Sequence, residues 1–219
     1  FEILGLLGGG NYGEVHKAFD RKMNRTVALK YIAQTVRDGT ALAHARAMSQ
    51  LNHPNIATVY EVLEGQRQPE VHAFCDVVLM EFLDGQSLEE RLATGPLSPD
   101  EVGTLCRSLV SAVEYTQKKR FIHGDLHEGN VVFSESGAKV IDVMFGVASA
   151  RSSASTERRL LHDVHSCRAI LERVLRSAAL DADGFLRDTY QMELLTFTTA
   201  VERVLGTDRR SLPGAGLDN

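Results

Sequence analysis

Between His123 and Asp142 the chain reads His-Gly-Asp-Leu-His-Glu-Gly-Asn, then Val-Val-Phe, a turn at Ser136-Gly137, and Lys-Val-Ile-Asp. This is a tight loop between a helix and a strand, followed by a hairpin. Asp125 and Asn130 sit on the loop and Asp142 ends the second strand. Such an arrangement can aim three oxygen-bearing side chains at one spot. Hard cations such as magnesium take oxygen ligands, usually one or two carboxylates plus substrate phosphates. The chemistry these residues suggest is therefore phosphoryl transfer. Taken singly, short polar residues populate turns for structural reasons alone; their joint order and spacing carries the reading.

The N-terminal third supplies a phosphate cradle. The apolar run Phe1 to Leu7 enters Gly8-Gly9-Gly10-Asn11-Tyr12-Gly13, and Glu14 to Phe19 follows as a second strand. In the spacing Gly8-x-Gly10-x-x-Gly13-x-Val15, glycines let backbone approach a ligand and leave N–H groups for phosphate oxygens. The same letters also announce a dinucleotide fold, but there the glycines open a helix, whereas here an extended segment follows. After the polar turn 20–25, the strand Thr26 to Ile32 carries one lysine, Lys30, inside an apolar run. Lysine is rarely buried without a partner, so Lys30 either snorkels or meets an anion in a cleft.

An Ala-rich segment, Thr40 to Leu51, reads as a helix that stops before His53-Pro54. Strands are expected at Ile56 to Leu63 and Val77 to Phe82, with a polar turn at Glu64 to Glu70. Leu83 to Gln86 breaks the pattern, placing a boundary between a unit 1–83 and a unit 84–219. Beyond it come a short helix Leu88 to Ala93 and a longer one with Ser98 as N-cap, Pro99 in the first turn and Glu101 closing a capping box. Val102, Leu105, Leu109, Val113 and Thr116 share one face of the longer helix. Arg151 to Arg159 reads as a mobile loop, Leu160 to Ala179 and Phe185 to Leu205 as helices, and Thr207 to Asn219 as a loose tail.

Together, Gly8, Gly10, Gly13 and Val15, then Val27-Ala28-Leu29-Lys30, then His123-x-Asp125-Leu126 with Asn130, then Asp142, resemble the protein kinase superfamily. The resemblance is to a divergent or atypical eukaryotic-like Ser/Thr kinase whose loop is similar to those of aminoglycoside and choline kinases. It implies an α+β, bilobal fold: a small β-rich lobe with one helix, a mainly helical lobe, and a reduced activation segment. It implies ATP and magnesium as cofactors, with Asp125, Lys30 and Asn130 catalytic and with Asn130 and Asp142 holding the metal. Lys30 would hold the α and β phosphates, and Asp125 would accept the proton of the attacking hydroxyl. The nucleotide set would be Gly8, Gly10, Gly13, Val15, Ala28, Lys30, Met80, Glu81 and Leu83, with Met80 flanking the adenine and Glu81 and Leu83 offering backbone groups. Asp163 would brace the catalytic loop. The implied function is transfer of the γ-phosphoryl group to a protein Ser/Thr hydroxyl. The alternatives are a small-molecule kinase and a nucleotide-binding pseudokinase.

The sequence departs from the family pattern at several points. The helix position that should carry the glutamate partner of the strand lysine falls on His44; Asp142 or a carboxylate from elsewhere could take its place. Gly124 replaces the arginine that reads an activation-loop phosphate. His127 stands where protein kinases usually have lysine. Asp142-Val143-Met144 replaces Asp-Phe-Gly, and no Ala-Pro-Glu follows before Asp163. A net charge of −5 gives no basic field for nucleic acid. Cys75, Cys106 and Cys167 lack metal or disulfide spacing and read as buried thiols. No apolar run approaches the ~20 residues that span a bilayer, so the expected setting is cytoplasmic, with no membrane partner. Oligomeric state is left open.

Overall fold

The computed structural model describes residues 1–10, 13–32, 48–67, 74–134, 137–142 and 153–211. The helix expected at Thr40 to Leu51 lies outside them up to residue 47, and with it His44; so do Val143-Met144.

Five antiparallel strands form the first sheet: β1 (Glu2–Gly10), β2 (Gly13–Asp20), β3 (Arg25–Ile32), β4 (Val59–Arg67) and β5 (Phe74–Glu81), in the order β1-β2-β3-β5-β4. Alternation buries Val27, Leu29 and Tyr31 of β3 with Cys75, Val77 and Leu79 of β5 on one side. The register pairs Val15 with Lys30 and Ala28 with Met80. Gly13 has φ +124°, and a Cβ there would lie 1.7 Å from the Tyr31 carbonyl oxygen. Only glycine fits this crossing.

The second sheet, β6 (Gln86–Ser87), β7 (Val131–Ser134) and β8 (Gly137–Val140), lies on a helical body. That body comprises α1 (Leu88–Ala93), α2 (Pro99–Lys118), α3 (Ser153–Ser177), α4 (Ala182–Asp188) and α5 (Leu194–Ser211). Ser87 and Ser98 each cap a helix with a complete capping box, Glu90 and Glu101 answering back to the cap N–H. Val102, Leu105, Leu109, Val113 and Thr116 are all buried, as their spacing requires. They pack with Leu171 and Leu175 of α3, Phe185 of α4 and Phe197 of α5 in one core. All three cysteines are buried and free, and burial pushes the Cys106 thiol up to about 12. The α+β bilobal architecture is as expected. No helix among the described residues is long and apolar enough to cross a membrane.

Several boundaries differ from the sequence reading, each for a tertiary reason. The β4 strand begins at Val59 and continues through the polar residues 64–67, because Gly65 (φ +63°) absorbs a register shift against β5 and donates its N–H to Asp76. The strand before Asp142 ends at Val140. The segment read as a mobile loop is helical from Ser153, with Thr156 buried at the head of α3. The single helix expected over Phe185 to Leu205 is two. Arg168 of α3 takes the Leu186 carbonyl and the Thr189 hydroxyl, and Thr189 turns its hydroxyl back to the Phe185 carbonyl, which ends α4. The last helix continues past the expected Leu205 to Ser211, just before Pro213.

Candidate active site

Strand β3 projects Lys30 from between β2 and β5, and its side chain is 12% exposed. A lysine so enclosed needs an anion, and it has one: Nζ lies 2.7 Å from Oδ1 of Asp142. Asp142 stands two residues past β8 with φ +55°. This left-handed turn at the strand end costs a non-glycine residue energy that the surrounding contacts must hold. Those contacts are visible on both sides. Ile141 N–H donates to the Asn130 carbonyl at 3.0 Å, and the Ile141 carbonyl accepts from His123 Nε2 at 3.0 Å.

His123 is 3% exposed. Burial lowers its pKa despite the nearby carboxylate of Asp163, so the ring is neutral. With Nε2–H given to Ile141, Nδ1 accepts from Asp125 N–H at 3.3 Å. One imidazole thus ties the backbone at Asp125 to the backbone before Asp142. Asp163 of α3, 2% exposed, accepts from His123 N–H at 2.7 Å and Gly124 N–H at 2.9 Å. Burial pushes its carboxyl up, and these two donors pull it back. Gly124 has φ +79°.

Within the loop, Asn130 donates Nδ2 to the Asp125 carbonyl at 2.8 Å. Its carboxamide oxygen is then the atom on offer to a cation. His127 Nδ1 accepts from Gly129 N–H at 3.1 Å, and Nε2 lies 3.9 Å from Asp125 Oδ2. A side chain at Gly129 would strike the His127 ring at 2.8 Å. The Asp125 carboxylate is 58% exposed, open to an incoming hydroxyl. Among the described residues no group of three or more His, Cys, Asp or Glu could hold a metal. The oxygen set of Asn130 and Asp142 nevertheless suits magnesium, which takes one or two protein oxygens and leaves its other positions to phosphate and water.

At the cleft's other end, Ala28 and Met80 are register partners, with Val59 opposite Met80 on the next strand. Val15 lies opposite Lys30. Gly8 and Gly10 close β1 against Val15 and Gly13, while the loop tip, Asn11-Tyr12, lies outside the described residues. Glu81 N–H donates to the Thr58 carbonyl at 2.8 Å, and the Leu83 carbonyl accepts from Gly85 N–H at 3.1 Å.

Two features escape sequence reasoning. The Glu81 side chain accepts from Lys139 Nζ and from Thr58 N–H; the alternation of β8, with Ala138 and Val140 buried, is the signal that turns Lys139 the other way. The segment after His53-Pro54 is a spacer between the sheets: Asn55 takes Val140 N–H and the Ala138 carbonyl, and Ala57 N–H goes to the Val140 carbonyl. His53 stacks on Tyr115 of α2 with centroids 4.8 Å apart.

A family model described as protein kinase domain matches residues 1–167. Serine/threonine-protein kinase PrkC of Bacillus subtilis is 30% identical over 71% of this chain and 24% of its own length. A probable serine/threonine-protein kinase PknB of Bifidobacterium longum is 32% identical over 68% of this chain and 23% of its own. The chain spans about a quarter of the length of these curated relatives. A crystal structure of Rad53 1-466 in complex with AMP-PNP shares the fold, with a TM-score of 0.65 and 19% identity over 93% of this chain and 59% of that one.

Proposed function

The chain belongs to the protein kinase family, and from that premise we propose that it moves the γ-phosphoryl group of ATP, with magnesium, to a Ser or Thr hydroxyl of a protein. The observation that carries this reading is the 2.7 Å pair between Lys30 and Asp142, joined through Ile141 and Asn130 to the loop bearing Asp125. Catalysis of this class is mainly positioning and charge stabilisation. Asp125 orients the hydroxyl and takes its proton. Lys30 neutralises the α and β phosphates, and the N–H groups around Gly8, Gly10 and Gly13 cover them. Val15, Ala28 and Met80 line the adenine, and Glu81 and Leu83 meet its edge through backbone groups. Magnesium held by Asp142 and Asn130 would neutralise charge on the phosphate oxygens. Residues 1–83 are the smaller lobe and 84–219 the larger.

A second reading, phosphorylation of a small molecule, draws support from Gly124 and His127 in the loop. The test is transfer from labelled ATP with magnesium to a generic protein and to a panel of sugar-like and amino-alcohol acceptors. The parent is compared with Asp125→Ala and Asp142→Ala. Label on protein, lost in both variants, is the expected result. Label on a small acceptor alone moves the assignment to the second reading. Equal labelling by all three proteins, or none by any, removes catalysis and leaves a nucleotide-binding module.

A further inference from the structure

Glu81 ends β5 in the first sheet, and Lys139 lies on β8 in the second. Their side chains meet at 2.5 Å, and both are about a quarter exposed, at 23% and 27%. The Glu81 carboxylate also accepts from Thr58 N–H at 3.1 Å, while Glu81 N–H donates to the Thr58 carbonyl at 2.8 Å. Thr58 closes the spacer whose other residues, Asn55 and Ala57, hydrogen-bond β8. The two sheets are therefore joined twice over the same short path, once through backbone and once through this ion pair. Behind the join is an open cavity of about 750 Å³, lined by Phe82, Leu83, Gly85, Val132, Ser134 and the pair itself. The pair forms part of the wall of this cavity and adds a side-chain tie to the backbone one.

The consequence is geometric. Glu81 and Leu83 are at the purine end of the cleft, and Asp142, three residues after Lys139, is at the phosphate end. A nucleotide must satisfy both ends at once, and a cleft already set to the right length loses less on binding. We propose that Glu81 and Lys139 form an interlobe latch that helps fix the distance between the Glu81–Leu83 segment and Asp142 beyond the end of β8, making Lys139 a positioning residue for nucleotide. This rests on the proposed function, in that it takes the cleft to be a nucleotide site.

Titration calorimetry with Mg·ADP, run well below the melting temperature, tests the latch without requiring transfer. Glu81→Gln keeps an oxygen for Thr58 N–H and removes only the charge; Lys139→Met removes the cation and keeps the stem. Each is expected to weaken Mg·ADP about three- to fivefold, the range open to a partly exposed pair. The double variant should be no weaker than either single, and Lys139→Arg should restore parental affinity. A role confined to stability would lower the melting temperature and leave affinity unchanged. Parental affinity in both singles, additive losses in the double, or faster turnover at unchanged affinity would each overturn the latch. A parent that binds Mg·ADP but labels no acceptor removes the proposed function and leaves the latch standing. A parent that binds no Mg·ADP overturns both.

Discussion

Asp163 offers the sharpest quantitative test of how the catalytic loop is held. Its carboxylate takes two backbone N–H groups, His123 at 2.7 Å and Gly124 at 2.9 Å, in a place where the acid is 2% exposed. An orphaned buried donor costs about 1–3 kcal/mol, so Asp163→Ala would cost ~2–6 kcal/mol from two such donors. Against this stands the desolvation that pushes the carboxyl up in the folded state, a penalty the substitution relieves. A net loss of about 3 kcal/mol is expected, which for a chain of this size lowers the melting temperature by roughly 6–12 °C. Asp163→Asn separates the two effects. Its single amide oxygen can take one N–H while its NH₂ faces the other, so about half the loss remains. Thermal melts of the three proteins give the comparison. Transfer should fall further than stability alone predicts, because His123 also fixes Asp125 N–H and a small misplacement of a catalytic group can cost ~10²-fold. The reasoning fails if the Ala variant melts within about 2 °C of the parent, or if Asn falls as far as Ala.

Three further outcomes follow from single contacts. Lys30→Met removes the cation beside Asp142 and should lower the transfer rate by ~10²–10³-fold, as loss of one preorganised charge contact does, with a small change in melting temperature since Asp142 remains 28% exposed. Gly13→Ala drives a Cβ into the Tyr31 carbonyl oxygen from a φ unsuited to alanine. It should destabilise by more than ~1 kcal/mol, read as a lower urea midpoint, whereas Gly9→Ala, whose Cβ would meet its nearest neighbour at 3.7 Å, should not. His53 accepts Asn55 N–H at Nδ1, lies 3.2 Å from Ser111 Oγ at Nε2, and has its pKa lowered by burial. With the folded value below the unfolded one, its contribution is complete above about pH 6.5 and fades as pH falls toward the folded value. His53→Phe should flatten the fall in urea midpoint over that window, and an unchanged slope would rule the residue out.

What was legible in the sequence is what short-range chemistry decides. Ser98, Pro99 and Glu101 announce the start of α2 because cap, first-turn proline and answering carboxylate act within four residues. The spacing of Val102, Leu105, Leu109 and Val113 gave the buried face for the same reason. Illegible were the features that a distant side chain decides. Nothing within Phe185 to Leu205 says that Arg168 will claim the Leu186 carbonyl and end α4. Nothing near the Ser-rich run says that Thr156 will be buried at the head of α3. The site divides in the same way. Its residue types and order were readable, with Asp142 one of the partners open to Lys30, but which partner Lys30 meets, and the meeting of Glu81 with Lys139, depend on how two sheets face each other.

The departures in the loop 123–130 are of two kinds, Gly124 holding the loop through its backbone and His127 through its ring. Gly124 gives its N–H to Asp163 and takes a positive φ that glycine adopts without strain. An arginine there would keep the first contact and pay for the second. Gly129 gives its N–H to His127 and leaves room for the ring that a side chain would strike. His127 and Gly129 therefore support each other: an imidazole at 127 needs a bare backbone at 129, and in return caps it. The hydrogen bonds running from Asp163 through His123 to Ile141 and Asn130 involve Gly124 through its backbone alone.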